Sequence, residues 1–217
     1  MLEESIKCSL CASEKTDFFF EDKFRPYNRC RNCSLIFVTP EFHVSREREK
    51  SRYEEHNNDP DDRGYRDFLE RITLPIKDKF DPPARGLDFG CGPTTLLADI
   101  LSEKGFEMDV YDLFYQPDTS VLEKKFDFIV TTEVVEHLAK PLDVFEMLLS
   151  MLKPNGMLAV MTRLHDDSID FKTWHYKNDP THICFFSVET FEWLSARLGV
   201  EHRRVESDIY VFAQLVE

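Results

Sequence analysis

The sequence predicts an α/β protein built on a mostly parallel sheet, with a small cysteine-rich module ahead of it. Leu87-Asp88-Phe89-Gly90-Cys91-Gly92-Pro93-Thr94-Thr95 reads as a short apolar strand, a glycine turn and the start of a helix at Leu96. Apolar runs and helical periodicities alternate from there onward, the pattern of a sheet wound with helices. Met108-Asp109-Val110-Tyr111-Asp112 then reads as a second strand closed by an acid. Cys8-Ser9-Leu10-Cys11 and Cys30-Arg31-Asn32-Cys33 are two CxxC pairs separated by eighteen residues.

Gly90 and Gly92 let backbone approach a ligand where a side chain would block it. The following helix offers free N–H groups and a positive dipole end to an anionic group. An acid at the end of the second strand, here Asp112, is placed to accept hydrogen bonds from ribose hydroxyls. Phe126-Asp127-Phe128-Ile129-Val130-Thr131-Thr132 reads as a buried strand running into Glu133-Val134-Val135-Glu136-His137-Leu138. In open α/β sheets the ligand crevice lies at the carboxyl ends of the strands, so Thr132 and Glu133 are expected to face it. An amphipathic helix over Pro141 to Leu152 follows, then a turn at Lys153-Pro154-Asn155-Gly156 and a strand from Met157 to Thr162.

In order, DFGCG, YD, FDFIVTTEVVEHL and LKPNGMLAVMT resemble the motifs of class I S-adenosylmethionine-dependent methyltransferases, over residues 84–217. The resemblance implies a Rossmann-like sheet closed by an antiparallel hairpin. It also implies cofactor contacts at Asp88, Gly90, Cys91, Gly92, Thr94, Asp112, Leu113, Thr132 and Glu133, with Asp88 near the amino-acid end of the cofactor. Thr94 stands where the family more often has a third glycine. A larger departure is Leu113 to Lys125, only thirteen residues between Asp112 and Phe126. A complete version of the fold places a helix and a third strand there, so that strand is expected to be short or the helix absent. Phe114 and Tyr115 are read as packing either on adenine or in the core.

The two CxxC pairs have the spacing of a four-cysteine zinc ribbon over residues 1–40, with Cys8, Cys11, Cys30 and Cys33 as ligands of a structural Zn2+. A segment this small lacks a core of its own, so a metal would supply folding energy. Two disulfides are the competing reading. Residues 41–83 are charged, with a break at residues 57–64, and read as a helical lid or linker. Tyr53 and Tyr65 are its candidate cofactor contacts, and an amphipathic helix from Tyr65 ends near Pro75.

Arg163 to Phe186 is a long excursion rich in aromatic, His and Asp residues, and loops of such length are usually functional. His175 and His182 are the candidate general bases, with Tyr176 and Asp179 positioning the acceptor; an imidazole has the pKa range suited to that work. His137 is read as bracing its local turn. Ser187 to Leu198 reads as a capped helix closed by Gly199, and Val200 to Val205 and Ile209 to Val216 as the closing strands.

The chain has 217 residues and 42% hydrophobic residues, enough for a core. No apolar run has the length of a membrane span, and Met1 to Lys7 lacks a signal-peptide core, so a cytoplasmic location is expected. A net charge of −14 weighs against nucleic acid as the main partner; Arg25, Arg29 and Arg31 are the only basic hint on the ribbon. The fourth strand does not end in the asparagine-proline-proline-aromatic signature of amino-group methylases, which favours a small molecule methylated on oxygen or carbon. An RNA or protein methyltransferase that uses the ribbon for recognition, and a non-enzymatic module that binds cofactor or metal, are the other two readings. No oligomeric state is implied.

Overall fold

The computed structural model describes residues 6–55 and 59–214. The first five residues, part of the expected 57–64 break and the last three residues of the chain lie outside them. The ribbon segment forms β1 (Thr16–Glu21), β2 (Pro26–Cys30) and β3 (Ile36–Phe37). Three helices follow, α1 (Arg46–Glu54), α2 (Arg63–Glu70) and α3 (Thr73–Lys79). The main domain runs β4 (Arg85–Phe89), α4 (Leu96–Glu103), β5 (Glu107–Tyr111), β6 (Phe126–Thr132), α5 (Pro141–Ser150), β7 (Leu152–Met161), β8 (Cys184–Phe185), α6 (Val188–Leu198), β9 (Val200–Arg204) and β10 (Ile209–Gln214).

Six strands make the main sheet in the order β5-β4-β6-β7-β10-β9. β4 pairs in parallel with β5 and β6, and β6 with β7; β10 runs antiparallel to β7 and β9. This is the mostly parallel sheet with a closing hairpin that the sequence implied. β6 is central because six of its seven residues are apolar or Thr and nearly all are buried. α6 begins at a capping box between Ser187 and Thr190 and stops at Gly199, where φ is 64°.

The short segment after Asp112 contributes no strand. It folds into a 3-10 turn, Thr119–Glu123, capped by Asp118, and drops Val121 into the core. β5 is therefore an edge strand. Asp109 on it is paired with Arg85 and Lys124, charges of the kind that discourage edge-to-edge pairing.

Two local expectations are corrected. The helix expected to end near Pro75 is two helices, broken at Arg71 and Ile72, and Pro75 sits in the first turn of α3, where its missing N–H is no loss. Arg71 at the break is paired with Glu206 and Asp208, so the β9–β10 turn fixes the bend. Lys153 to Gly156 lies inside β7 rather than ahead of the strand. Leu152 pairs with Phe126 and Met157 with Phe128, so the extra residues bulge out, with Asn155 at φ 63°.

The ribbon is joined to the main domain through the excursion. β8 is the fourth strand of the small sheet, ordered β1-β2-β3-β8. The Val38 N–H donates to the Ile183 carbonyl at 2.9 Å, and the Ile183 N–H donates to the Glu136 carbonyl at 2.8 Å. Tyr27, Phe171 and Phe185 pack edge to face between the two parts, with centroids 5.2–5.8 Å apart. Arg25, 6% exposed, donates to the carbonyls of Lys177, Asp179 and Pro180 at 2.9–3.0 Å and through Nε to the Tyr27 hydroxyl. No helix of the described residues is long and apolar enough to cross a membrane.

Hydrogen bonds from a charged donor contribute about 1.5–3 kcal/mol each, and buried carbonyls left without a donor add to the loss. Arg25→Ala is therefore expected to lower unfolding free energy by roughly 2–5 kcal/mol in urea melts. A change below about 0.5 kcal/mol, the range of ordinary surface substitutions, would contradict the clamp.

Candidate active site and metal centre

The glycine turn leaves β4 with Gly90 at φ 81° and Gly92 at φ 68°, a region that disfavours side chains. A Cβ on Gly90 would lie 2.4 Å from Val134, so this turn tolerates no side chain there. The N–H groups of Gly90 and Cys91 donate to the Tyr111 carbonyl, and the Gly92 N–H donates to Oδ2 of Asp112 at 3.0 Å. Oδ1 of Asp112 accepts from the N–H groups of Phe114 and Tyr115 at 2.8 and 3.0 Å. Asp112 thus ties the turn to the loop after β5, and Oδ2 keeps one acceptor position for a further donor.

A narrow cavity of about 30 Å³ opens at this turn, lined by Tyr65, Leu69, Asp88, Gly90, Cys91, Thr94, Leu97 and Thr132. Five of the expected contact residues meet there: Asp88, Gly90, Cys91, Thr94 and Thr132. Gly92 and Asp112 adjoin it, whereas Leu113 is half exposed on the rim. Burial first, and the charge of Asp112 second, push the Asp88 carboxyl up to about 7. The Thr132 hydroxyl and Oε1 of Glu133 are buried without a hydrogen-bond partner among the described residues. Unmet buried polar atoms beside a backbone-walled turn fit a polar ligand, as S-adenosylmethionine would be.

α1 lies across this region. It buries none of its side chains fully, and its contacts are rings and ions. The Tyr53 ring is 5.9 Å from Phe114 and 5.2 Å from His137. Arg46 sits over Phe114, Lys50 over Tyr115, and Arg52 donates to Asp179 at 3.0 Å.

Beyond Thr132 the chain turns through Glu133, at φ 53°, into a 3-10 turn, Val135–His137. Glu136 is fully buried. It accepts from the Tyr176 hydroxyl at 2.6 Å and the Thr162 hydroxyl at 3.0 Å. His182 packs 4.2 Å from Tyr176 and 4.7 Å from His137, ring centre to ring centre. Burial first, then Glu136, raise the Glu133 carboxyl to about 8. Burial first, then His137, lower His182 to about 3, so it is neutral.

Of the expected catalytic residues, Tyr176 and His182 are thus together. Asp179 stands at the edge of the cluster, held by Arg52 and by the Thr181 N–H and hydroxyl. His175 is exposed and accepts from Arg163 at 2.9 Å, outside the cluster. Sequence reasoning missed Glu136 and Thr162. The one available signal was an acid set among Val134, Val135 and Leu138, which is unusual for a solvated face.

The four ribbon cysteines converge. Cys8 and Cys33 sulfurs are 3.6 Å apart and Cys11 and Cys30 sulfurs 3.5 Å, with all four within 4.8 Å of one another. These separations are too long for disulfides and near the edge of a tetrahedron with Zn–S bonds of about 2.3 Å. Both knuckles share one backbone form. Ala12 and Ser34, each just after the second cysteine, have φ of 55° and 60° and donate to the carbonyls of Cys8 and Cys30. The hydrogen bond from Cys33 pulls the Cys8 thiol down to about 6. Two matched turns aiming four soft donors at one point fit a closed Zn2+ site.

The profile of a methyltransferase-domain family matches residues 53–204. Over 93 residues the chain is 30% identical to the ubiquinone biosynthesis O-methyltransferase of Histophilus somni (strain 2336), a stretch that is 41% of this chain and 37% of that protein. The match thus spans little more than a third of that relative's length. Among solved structures, a SAM dependent methyltransferase from Archaeoglobus fulgidus superposes with a TM-score of 0.55 at 15% identity, over 69% of this chain and 94% of that one. DesVI of Streptomyces venezuelae superposes at 0.53 with 13% identity, over 71% and 93%. At such identities these likenesses speak for the fold.

Asp88 gives the cleft a signature in pH. Its folded value of about 7 stands above the ordinary 3.8. The stability it allows is therefore full below the ordinary value and is lost as pH rises through about 7. Asp88→Asn is expected to gain stability relative to wild type as pH rises from about 4 to 7, by at most about 1.4 kcal/mol per unit. Parallel pH profiles in thermal melts would contradict the burial argument.

Proposed function

Because the chain belongs to the methyltransferase-domain family, we propose that it transfers the methyl group of S-adenosylmethionine to a small molecule, on oxygen or carbon. The observation that carries this is the adjacency of two sites: Thr132 lines the glycine-turn cavity, and the next residue, Glu133, feels the charge of Glu136 and the hydroxyl of Tyr176 in the polar cluster. When bound, the cofactor supplies a methyl group on a sulfonium centre. Asp88 would accept from its ammonium group, which would restore the charge that burial denies the carboxylate. Asp112 would accept from the ribose, and Phe114 and Tyr115 are the rings that would pack on the adenine. Tyr53 and Tyr65, on α1 and α2, close the cleft and exclude water.

Positioning an acceptor atom in line with the methyl carbon supplies much of the acceleration. A hydroxyl or carbon acid also needs a base. Glu133, raised to about 8 and with Oε1 unmet, is the group whose proton affinity matches neutral pH. His182 and Tyr176 shape the acceptor side, and His175 with Arg163 forms its rim. The named activity of the Histophilus somni relative, an O-methyltransferase of ubiquinone biosynthesis, supports an oxygen acceptor. The four ribbon cysteines hold a structural Zn2+. Arg25 is buried in the clamp and Arg31 is paired with Asp17, so neither adds to a basic face for nucleic acid.

Calorimetric titration of the zinc-loaded protein with S-adenosylmethionine and its demethylated product is expected to give micromolar binding of both. Asp112→Ala is expected to weaken both by about tenfold or more, the loss of one or two hydrogen bonds to a carboxylate. His182→Ala is expected to leave cofactor affinity unchanged. Absence of binding to either compound would favour the non-enzymatic reading.

A further inference from the structure

We propose that Glu136, His137 and His182 form a second metal site, distinct from the cysteine cluster, that takes a divalent transition ion such as Zn2+ and leaves it an open position toward the acceptor. One ligand atom from each lies within 4.8 Å of the other two, and Nε2 of His137 is 4.0 Å from Oε1 of Glu136. Ligands about 2.0–2.2 Å from a shared ion stand roughly 3–3.5 Å apart, so closure asks for side-chain movement on the order of 1 Å.

The imidazoles are already turned for ligation. Nδ1 of His137 faces the Thr181 carbonyl at 3.0 Å, and Nδ1 of His182 faces the Tyr176 carbonyl at 2.8 Å. A carbonyl only accepts, so each Nδ1 carries the proton and each Nε2 carries a lone pair. A backbone acceptor behind each ring is the usual support of a metal-bound histidine, because it fixes both tautomer and ring plane. Glu136 is supported in the same way by the Tyr176 and Thr162 hydroxyls.

Charge points the same way. Glu136 is fully buried, and no Lys or Arg of the described residues lies within ion-pair distance of it. The two hydroxyls that meet it carry no charge, and a cation among the three ligands would compensate the buried carboxylate. Two imidazoles and one carboxylate suit zinc and its neighbours rather than calcium or magnesium. Three protein ligands with a vacant fourth position are the form of reactive sites, in contrast to the four cysteines, which close theirs. On the reading proposed above, an acceptor hydroxyl in that position would lose its proton to Glu133 more readily. The binding of the ion itself does not depend on that reading.

The test loads the full chain with excess Zn2+, removes free metal, and counts metal per chain; in a separate sample one equivalent of Zn2+ is added to metal-free protein to fill the four-cysteine site, and Co2+ is added after it. About two ions per chain are expected, and the added Co2+ should show the visible absorption of nitrogen and oxygen ligation without a thiolate band. His182→Ala and Glu136→Gln should each lose the added Co2+ and keep the first ion, whose retention shows the variant folded. One ion per wild-type chain at saturation, or undiminished Co2+ binding in both variants, would overturn the site. Cofactor titration is read separately, so loss of the metal site and loss of the methyltransferase reading are distinguishable.

Discussion

One buried guanidinium, that of Arg25, ties the ribbon to the excursion between β7 and α6. It donates to the carbonyls of Lys177, Asp179 and Pro180, and the first two also accept from the Tyr27 hydroxyl and the His182 N–H, so one network holds the segment. Around it, Tyr27 donates to Asp22, and Lys177, itself buried, pairs with the same carboxylate. The ribbon strands are two to six residues long and cannot support such a network unaided. Structural dependence therefore passes from the cysteine turns to the ribbon strands, from β3 to β8, and through Ile183 to the backbone of Glu136.

The cleft itself is rich in buried acid. Asp88, Glu133 and Glu136 lie along one path from the glycine turn to the excursion, and two of them are held up to about 7 and 8 by desolvation. Such a cleft is poor in charge compensation by itself, which is why cationic ligands are the ones proposed for it. α1 bridges two parts of it through Tyr53, whose ring meets Phe114 after β5 and His137 after β6.

What was legible in the sequence was local. The glycine turn, the buried strand over Phe126 to Thr132, the Ser187 cap and the Gly199 stop all depend on neighbours within a few residues. The shortened link after Asp112 was legible by counting, and the sheet indeed ends at β5. What was not legible depends on distant parts of the chain. Cys184 and Phe185 pair with β3, about 150 residues away, which no periodicity announces. Pro75 reads as a stop until Arg71 is seen gripping Glu206 and Asp208. His137 reads as a brace, and its Nδ1 does brace Thr181, while its other nitrogen faces Glu136 and His182. His175 looks equivalent to His182 in sequence, yet only one of them points inward.

If Cys8, Cys11, Cys30 and Cys33 hold Zn2+ as proposed, the order of the excursion depends on that ion, and hydrogen exchange before and after chelation measures the dependence directly. The Val38 and Ile183 amides, which stitch β3 to the excursion and the excursion to Glu136, should be protected in the metal-loaded protein and lose protection when the metal is removed. The Ile129 and Val130 amides of β6 should stay protected in both. Protection at Val38 and Ile183 that survives chelation would contradict the account.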